Sequence, residues 1–334
     1  MIRWAGAAVI LGATLLCAAA TEPAYRWTLP KGIAPPPVPA DNLMSEAKVA
    51  LGRRLFYDGD LSIDGTLSCA TCHEQRHGFA EGEATHGGVK GAAGRRNVMT
   101  LANIGYLAPL TWADSSQKTL ESQVMTPLMG EHPVEMGMAG QQDEVIRRLT
   151  ADRCYSQMFA DAFPGAGGQI TLARTTKALA AFERTLVSWN APYDRAQRGE
   201  RDAMSDAARR GQAVFQAKGC ASCHSGPNFT DLRFHTIAPA RNGDHGLVEK
   251  TGDRRDEAAF RTPSLRNADY SAPYLHNGQA RTLAAAILAH DNVVMKLKPE
   301  DVFAIEPFLE SLTDQAFLND PNLALPRSIC GQSR

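Results

Sequence analysis

Cys69-Ala70-Thr71-Cys72-His73 and Cys220-Ala221-Ser222-Cys223-His224 are two copies of one pattern, Cys-x-x-Cys-His, one in each half of the chain. The spacing puts two thiols on one turn, where they can bond the two vinyl groups of a single haem, and the histidine that follows can reach the iron. A single copy could be a redox dithiol or half of a zinc site. Two complete copies, both ending in histidine and both behind an export-type leader, read as covalent c-type haem attachment. Cys69, Cys72, Cys220 and Cys223 are therefore expected to bind two haems, with His73 and His224 as proximal iron ligands. What faces each iron on its far side then decides the chemistry. Two strong axial ligands make an electron shuttle, whereas an open position can bind peroxide or oxygen.

The leader is Met1-Ile2-Arg3, an apolar run from Ala5 to Leu16, and Ala18-Ala19-Ala20. A positive start, a short apolar stretch and a small-residue cleavage site make residues 1–20 a secretory signal peptide, which predicts a periplasmic protein. Cys17 invites a lipoprotein reading, but Leu16 before it is bulkier than a lipid-attachment site prefers. No later stretch is long and apolar enough to span a bilayer, so the mature protein is expected to be soluble. The formal net charge of -1 argues against a nucleic-acid partner. Of seven cysteines, one leaves with the signal and four sit in the motifs. Cys154 and Cys330 remain, and export into an oxidising compartment makes a disulfide between them the economical pairing.

The chain between these landmarks reads as all-α. Residues 21–44 form a proline-rich leader, with Pro30, Pro35, Pro36, Pro37 and Pro39. From Ser45, a plausible N-cap, Ala47, Ala50, Leu51, Leu55 and Phe56 recur at helical spacing. Residues 75–97 carry six glycines and no periodicity, and so read as loop. Helical patterns return at 117–129, 142–160 and 171–189, the last with Leu172, Leu179, Phe182, Leu186 and Trp189 on one face. Asn190-Ala191-Pro192 breaks that pattern and marks a domain boundary. Further helices are expected over Ser205–Lys218, 282–290 and 299–312, around a glycine- and charge-rich loop from Asn228 to Thr262. Leu51-Gly52-x-x-Leu55-Phe56 before the first motif is echoed by Gly211-x-x-Val214-Phe215 before the second. The expected architecture is two tandem cytochrome c-like domains, 45–190 and 191–334, each with one covalent haem.

Several further blocks occur in order: Leu51-Gly52-Arg53-Arg54-Leu55-Phe56-Tyr57-Asp58, Arg96-Asn97, Pro133-Val134-Glu135-Met136-Gly137, Phe260-Arg261-Thr262-Pro263-Ser264-Leu265-Arg266-Asn267, and Ser271-Ala272-Pro273-Tyr274-Leu275-His276-Asn277-Gly278. With the two haem motifs they make the chain resemble the bacterial di-haem cytochrome c peroxidase and MauG superfamily over residues 45–318. The proline-rich leader with Trp27 and the ending Ser311-Leu312-Thr313-Asp314 look closest to its methanobactin-associated, MbnH-like branch. Members of that branch oxidise tryptophan to kynurenine in a copper-binding partner protein.

The resemblance implies a role for each matching position. His73 would hold the peroxide-reactive haem, with Glu135 as the distal acid/base carboxylate and Gln123 and Pro127 beside it. The interval from Pro127 to Glu135 is two residues longer than usual in the family, which leaves Glu131 as a rival. Ordinary members block the first iron with a loop histidine. That place falls near Val89 here, with His86 three residues away; unless His86 reaches the iron, the first haem is expected to be five-coordinate. Trp112 matches the aromatic set between the haems. Asn97 and the carbonyls of Ser271 and Pro273 match a Ca2+ site, and such oxygen donors suit a hard cation. The outer ligand of the second haem falls on His290, with Met295 as the runner-up. MauG's surface tryptophan for charge transfer is replaced by Lys218, leaving Tyr270, Tyr274 and Trp189 as other candidate relays. His276 is assigned no chemistry.

The implied activity is that of an oxidoreductase using hydrogen peroxide to build a high-valent di-haem state. That state would oxidise an aromatic residue, tryptophan by analogy, on a partner protein. The rivals are a peroxidase drawing electrons from a small cytochrome or cupredoxin, and a non-enzymatic electron carrier.

Overall fold

The computed structural model describes residues 25–240, 242–330 and 332–333, and the expected signal peptide 1–20 lies outside them. The helices, in chain order, are α1 (Glu46–Phe56), α2 (Cys69–Cys72), α3 (Leu120–Gln123), α4 (Met125–Met129), α5 (Gln142–Ala151), α6 (Arg153–Ala162) and α7 (Leu172–Arg184). They continue as α8 (Pro192–Gln197), α9 (Asp206–Ala217), α10 (Val248–Thr251), α11 (Leu283–Leu288), α12 (Pro299–Glu310) and α13 (Gln315–Leu318). Regular strand pairing among the described residues is confined to two antiparallel ladders of two residues a side, β1 (Phe234–His235) with β2 (Phe260–Arg261) and β3 (Ser328–Ile329) with β4 (Gln332–Ser333). The protein is mostly helix joined by long loops, as expected. No helix of the described residues is long and apolar enough to cross a membrane.

Side-chain caps set the helix starts. The hydroxyls of Ser45, Thr171, Ser205 and Thr282 accept the N–H groups of Lys48, Arg174, Ala208 and Ala285 at 3.1–3.2 Å, each satisfying a donor the helix itself leaves free. The repeated glycine before each haem motif also has a structural cause. A Cβ on Gly52 would lie 1.9 Å from the Ala178 carbonyl oxygen of α7, and one on Gly211 would lie 2.2 Å from that of Ala304 in α12. Each glycine lets the helix that delivers a motif press its backbone against a second helix.

Two large apolar cores result, beside a smaller cluster of Ile104, Leu107, Leu110, Leu120 and Ala180. Leu51, Leu55, Phe56, Phe159, Leu179 and Phe182 belong to the first, whereas Phe215, Phe229, Ile305, Phe308 and Leu312 belong to the second. The chain end does not stay with the second core: Phe317, Leu318 and Leu323 are buried in the first. Gln75 donates its amide to the carbonyls of Phe317 (3.1 Å) and Asp320 (2.9 Å), pinning this return. Cys154 and Cys330 form a disulfide, with Cα atoms 5.8 Å apart. The proline-rich leader lies along α7, where Lys177 donates to the Asp41 carbonyl at 2.8 Å and Asn42 donates to Glu121 at 2.6 Å.

Some expected helices are shorter or divided. The 142–160 pattern breaks at Asp152, whose carboxylate accepts the Cys154 N–H at 2.7 Å and caps α6. The 171–189 helix stops at Arg184 because the following residues bond across the fold. Asn103 N–H donates to the Leu186 carbonyl at 2.7 Å, and Ser188 N–H donates to the Asn103 side chain at 2.7 Å. The 117–129 pattern becomes α3 and α4 on either side of Val124, and the 282–290 helix ends at Leu288.

Candidate active site

At the first motif, α2 is a single turn, and Thr71 Oγ1 accepts the Ser68 N–H at 2.9 Å. Cys69 and Cys72 therefore leave the same turn, and His73 ends it. The His73 imidazole donates from Nδ1 to the Phe79 carbonyl at 2.7 Å, which fixes the tautomer and leaves Nε2 as the lone-pair nitrogen. Burial pushes its pKa down to about 4, so the ring is neutral, the form that binds a metal. The second motif repeats this arrangement. Gly219 turns the chain out of α9 with φ +88°, and His224 Nδ1 donates to the Phe229 carbonyl at 3.0 Å. Burial holds His224 down to about 4 as well.

Phe79 and Phe229 both adopt left-handed backbone, with φ +60° and +51°. A phenylalanine rarely takes that conformation, which costs on the order of 1 kcal/mol or more. In both halves the strained residue supplies the carbonyl that orients the histidine. Two neutral, oriented imidazoles, each one residue past a Cys-x-x-Cys turn, are the donor set a covalent haem requires.

Around the first motif, Glu135 is half-buried, and burial raises its carboxyl above the usual range while the nearby His86 opposes the rise. Met136 N–H donates to the Pro127 carbonyl at 3.0 Å, which ties the Gln123–Pro127 turns to the Glu135 segment. The two extra residues are taken up in a tight turn that pairs Glu131 with Val134 and leaves Glu131 exposed. Val89, at the place of the blocking loop histidine, is buried, and its N–H donates to the Glu135 carbonyl at 2.8 Å. His86 Nδ1 donates to Glu81 at 2.6 Å, and its buried Nε2 has no hydrogen-bond partner. His86 lies near enough to both His73 and Glu135 to couple with them electrostatically.

At the second motif His290 faces His224, with ring centroids 6.2 Å apart and planes at 64°. One metal ion bonded at roughly 2 Å to a nitrogen of each ring, with the two ring radii added, spans about 6 Å. The pair thus fits a shared iron. His290 Nδ1 donates to the Ala286 carbonyl at 2.8 Å, so this ring is oriented as the proximal ones are. Met295, the rival, is exposed.

A cavity of about 410 Å³ joins this pair to the middle of the molecule, lined among others by Asn97, Trp112, Ser271 and Pro273. Trp112 is buried, and its indole N–H donates to the Asn97 carbonyl at 2.8 Å. The three positions matched to calcium thus line the same cavity as the tryptophan. Lys218 is engaged by Asp301 (2.6 Å) and the Lys296 carbonyl (3.0 Å). Of the three alternative relays, Tyr270 is exposed and Trp189 is buried under the Arg266 guanidinium, 4.1 Å above its ring. The hydroxyl of the half-buried Tyr274 donates to the Ala268 carbonyl at 2.9 Å. His276 stacks on Phe260 at 3.6 Å.

Sequence reasoning missed several groups here. Glu183 is buried, and burial raises its carboxyl to about 8. Asp231 and His235 pair at 2.7 Å, with ligand atoms within 4.8 Å of the Cys223 sulfur. A thiol committed to a haem leaves only two donors there. Arg261 is fully buried. Nothing in the sequence alone singled out the first three, and Arg261 stood in a family-like block with no role attached to it.

A helical scaffold with two Cys-x-x-Cys-His turns, each backed by an oriented neutral histidine, has the make-up of a c-type cytochrome. A family model described as di-haem cytochrome c peroxidase matches residues 46–202. The methylamine utilization protein MauG of Methylorubrum extorquens is 37% identical, the alignment covering 81% of this chain and 76% of that protein. The cytochrome-c peroxidase IdrP1 of Denitromonas iodatirespirans is 33% identical, with 94% and 95% covered. A crystal structure of a MauG-like protein associated with microbial copper homeostasis superposes with a TM-score of 0.86 at 34% identity, covering 91% of this chain and 99% of that one. The chain belongs to the di-haem cytochrome c peroxidase and MauG family. It is therefore a peroxidase-type oxidoreductase, which sets aside the electron-carrier reading, and its family implies two c-type haems.

Proposed function

We propose that this protein is an exported, MauG-like enzyme that uses hydrogen peroxide to oxidise an aromatic residue, tryptophan, on a partner protein. The observation that carries this reading is the His224–His290 pair. A methionine sulfur opposite His224 would favour ferrous iron, whereas a second imidazole favours ferric and higher states. A site closed by two nitrogens suits sharing oxidising equivalents better than storing electrons for peroxide reduction.

Two haems, held by Cys69, Cys72 and His73 and by Cys220, Cys223, His224 and His290, supply the oxidising chemistry with peroxide. At the first, the Glu135 carboxylate takes a proton from the incoming peroxide and returns it to the departing oxygen. Gln123 and Pro127 shape its approach. Val89 in place of a blocking histidine supports an open first site. Trp112 bridges the two sites, and Asn97, Ser271 and Pro273 hold Ca2+ beside it. The two cores support a division into cytochrome c-like units near residue 190, with the returning segment after Asp314 completing the first. Residues 1–20 would direct the chain to the periplasm, and the Cys154–Cys330 disulfide suits that oxidising setting.

The likeness to a structure associated with copper homeostasis favours a copper-binding partner. Incubating the holoprotein, peroxide and such a partner, followed by mass spectrometry, should show oxygen added at a partner tryptophan. The cytochrome-c peroxidase relative supports a second reading, in which a small cytochrome or cupredoxin donates electrons. Steady turnover of reduced cytochrome with no change in the partner's mass would establish that reading instead.

A further inference from the structure

Four arginines lie in the interior, and three have a carboxylate. Arg54 pairs with Asp152, Arg184 with Glu121, and Arg266 with Asp194 through two bonds of 2.8 and 2.9 Å. The fourth, Arg261, is 2% exposed and has none within ion-pair distance among the described residues. Its Nε faces the Thr111 carbonyl at 3.3 Å, and Nη2 contacts Met99 Sδ at 3.3 Å and the Leu110 carbonyl at 3.5 Å. Its Nη1 is buried with no partner.

A buried, unpaired cation costs several kcal/mol, and a guanidinium does not escape by losing its proton. Burial draws its pKa down only to about 10, so it stays charged at neutral pH. The partner that would stabilise such a cation most is an anion. Arg261 lines the same cavity as His224, His290 and Trp112. Haem carries two propionate carboxylates, and this cavity is the space into which the His224–His290 pair opens.

We infer that Arg261 is a carboxylate-binding residue whose partner is a propionate of the haem attached at Cys220 and Cys223. The pairing rests on the reading above that this motif holds a haem. It gives Arg261 a positioning role: its backbone N–H donates to the Trp112 carbonyl at 2.8 Å, so the propionate is fixed to the strand that also fixes the bridging indole. A free carboxylate from solution is the other source of the same chemistry.

The test uses holoprotein shown by pyridine haemochrome to carry two haems per chain; a wild type without them sinks the haem reading rather than this one. In Arg261→Gln the midpoint potential of the low-spin haem should fall, because a nearby positive charge that disfavours ferric iron is gone. Its propionate-bending resonance Raman band should move as well. Arg261→Lys keeps the charge but loses the fork, so the band should move while the potential stays near wild type. Should the glutamine variant fail to mature, the lysine variant and the wild type still decide. Sodium acetate added to wild type should leave band and potential unchanged. An unmoved band in the two-haem variants, a shift confined to the other haem, or an acetate-dependent shift in wild type would each overturn the inference.

Discussion

The His224 and His290 imidazoles lie with their centroids 6.2 Å apart and their planes at 64°, and each is held by a backbone carbonyl, from Phe229 and Ala286 respectively. On the proposed bis-histidine ligation, an iron bound between them would meet two rings already oriented by the backbone. Replacing His290 with methionine should raise the potential of the second haem and shift the enzyme towards peroxidase behaviour. Redox titration with near-infrared detection of the sulfur ligand measures it. An unchanged potential would remove His290 from the ligand set.

Glu135→Gln should slow the reaction of the resting enzyme with peroxide by about 10²–10⁴-fold, as loss of a positioned acid/base does. Burial lifts this carboxyl above its ordinary 4.5. The base form is then lost as pH falls through that raised value, so the wild-type rate should decline on the acid side, beginning above pH 4.5. The glutamine variant should lack that limb. Stopped-flow traces across pH decide it, and a full-speed variant moves the role to Glu131 or His86.

Trp112→Phe deletes the 2.8 Å bond to the Asn97 carbonyl. A buried carbonyl left without its donor costs about 1–3 kcal/mol, so the melting temperature should drop. If the indole also conducts between the two sites, electron equilibration after partial reduction should slow. Lower stability with unchanged equilibration would leave Trp112 as packing.

Asp194→Ala strands the Arg266 guanidinium, which is 1% exposed and held between Asp194, the Pro227 carbonyl and the Trp189 ring. Breaking a buried pair from one side costs about 3–5 kcal/mol. Denaturant unfolding should register a loss of that size, and a change under 1 kcal/mol would mean the arginine finds another partner.

The two Cys-x-x-Cys-His turns were legible because covalent haem attachment would demand that fixed spacing. The helix-facing glycines were legible as an echo between the halves, although only the fold shows what they press against. Phe79 and Phe229 were not, because nothing in a phenylalanine announces a positive φ. Asp152 carried a readable cap signal inside a periodic stretch, and periodicity masked it. Arg261 stands in a recognised block, but sequence cannot say that its neighbours include no carboxylate. Phe317 and Leu318 are plainly apolar, yet a four-residue helix does not say which core receives it.

That last placement has a temporal consequence. Gln75, two residues past His73, is gripped by carbonyls of residues 317 and 320, and three late apolar side chains fill the early core. While the polypeptide is being made, the first attachment turn therefore emerges well before the groups that seal it. On the proposed haem attachment, it would stay accessible to whatever installs a porphyrin there until the final stretch arrives, and a chain cut after Asp314 should leave the earlier centre, rather than the later one, loosely closed.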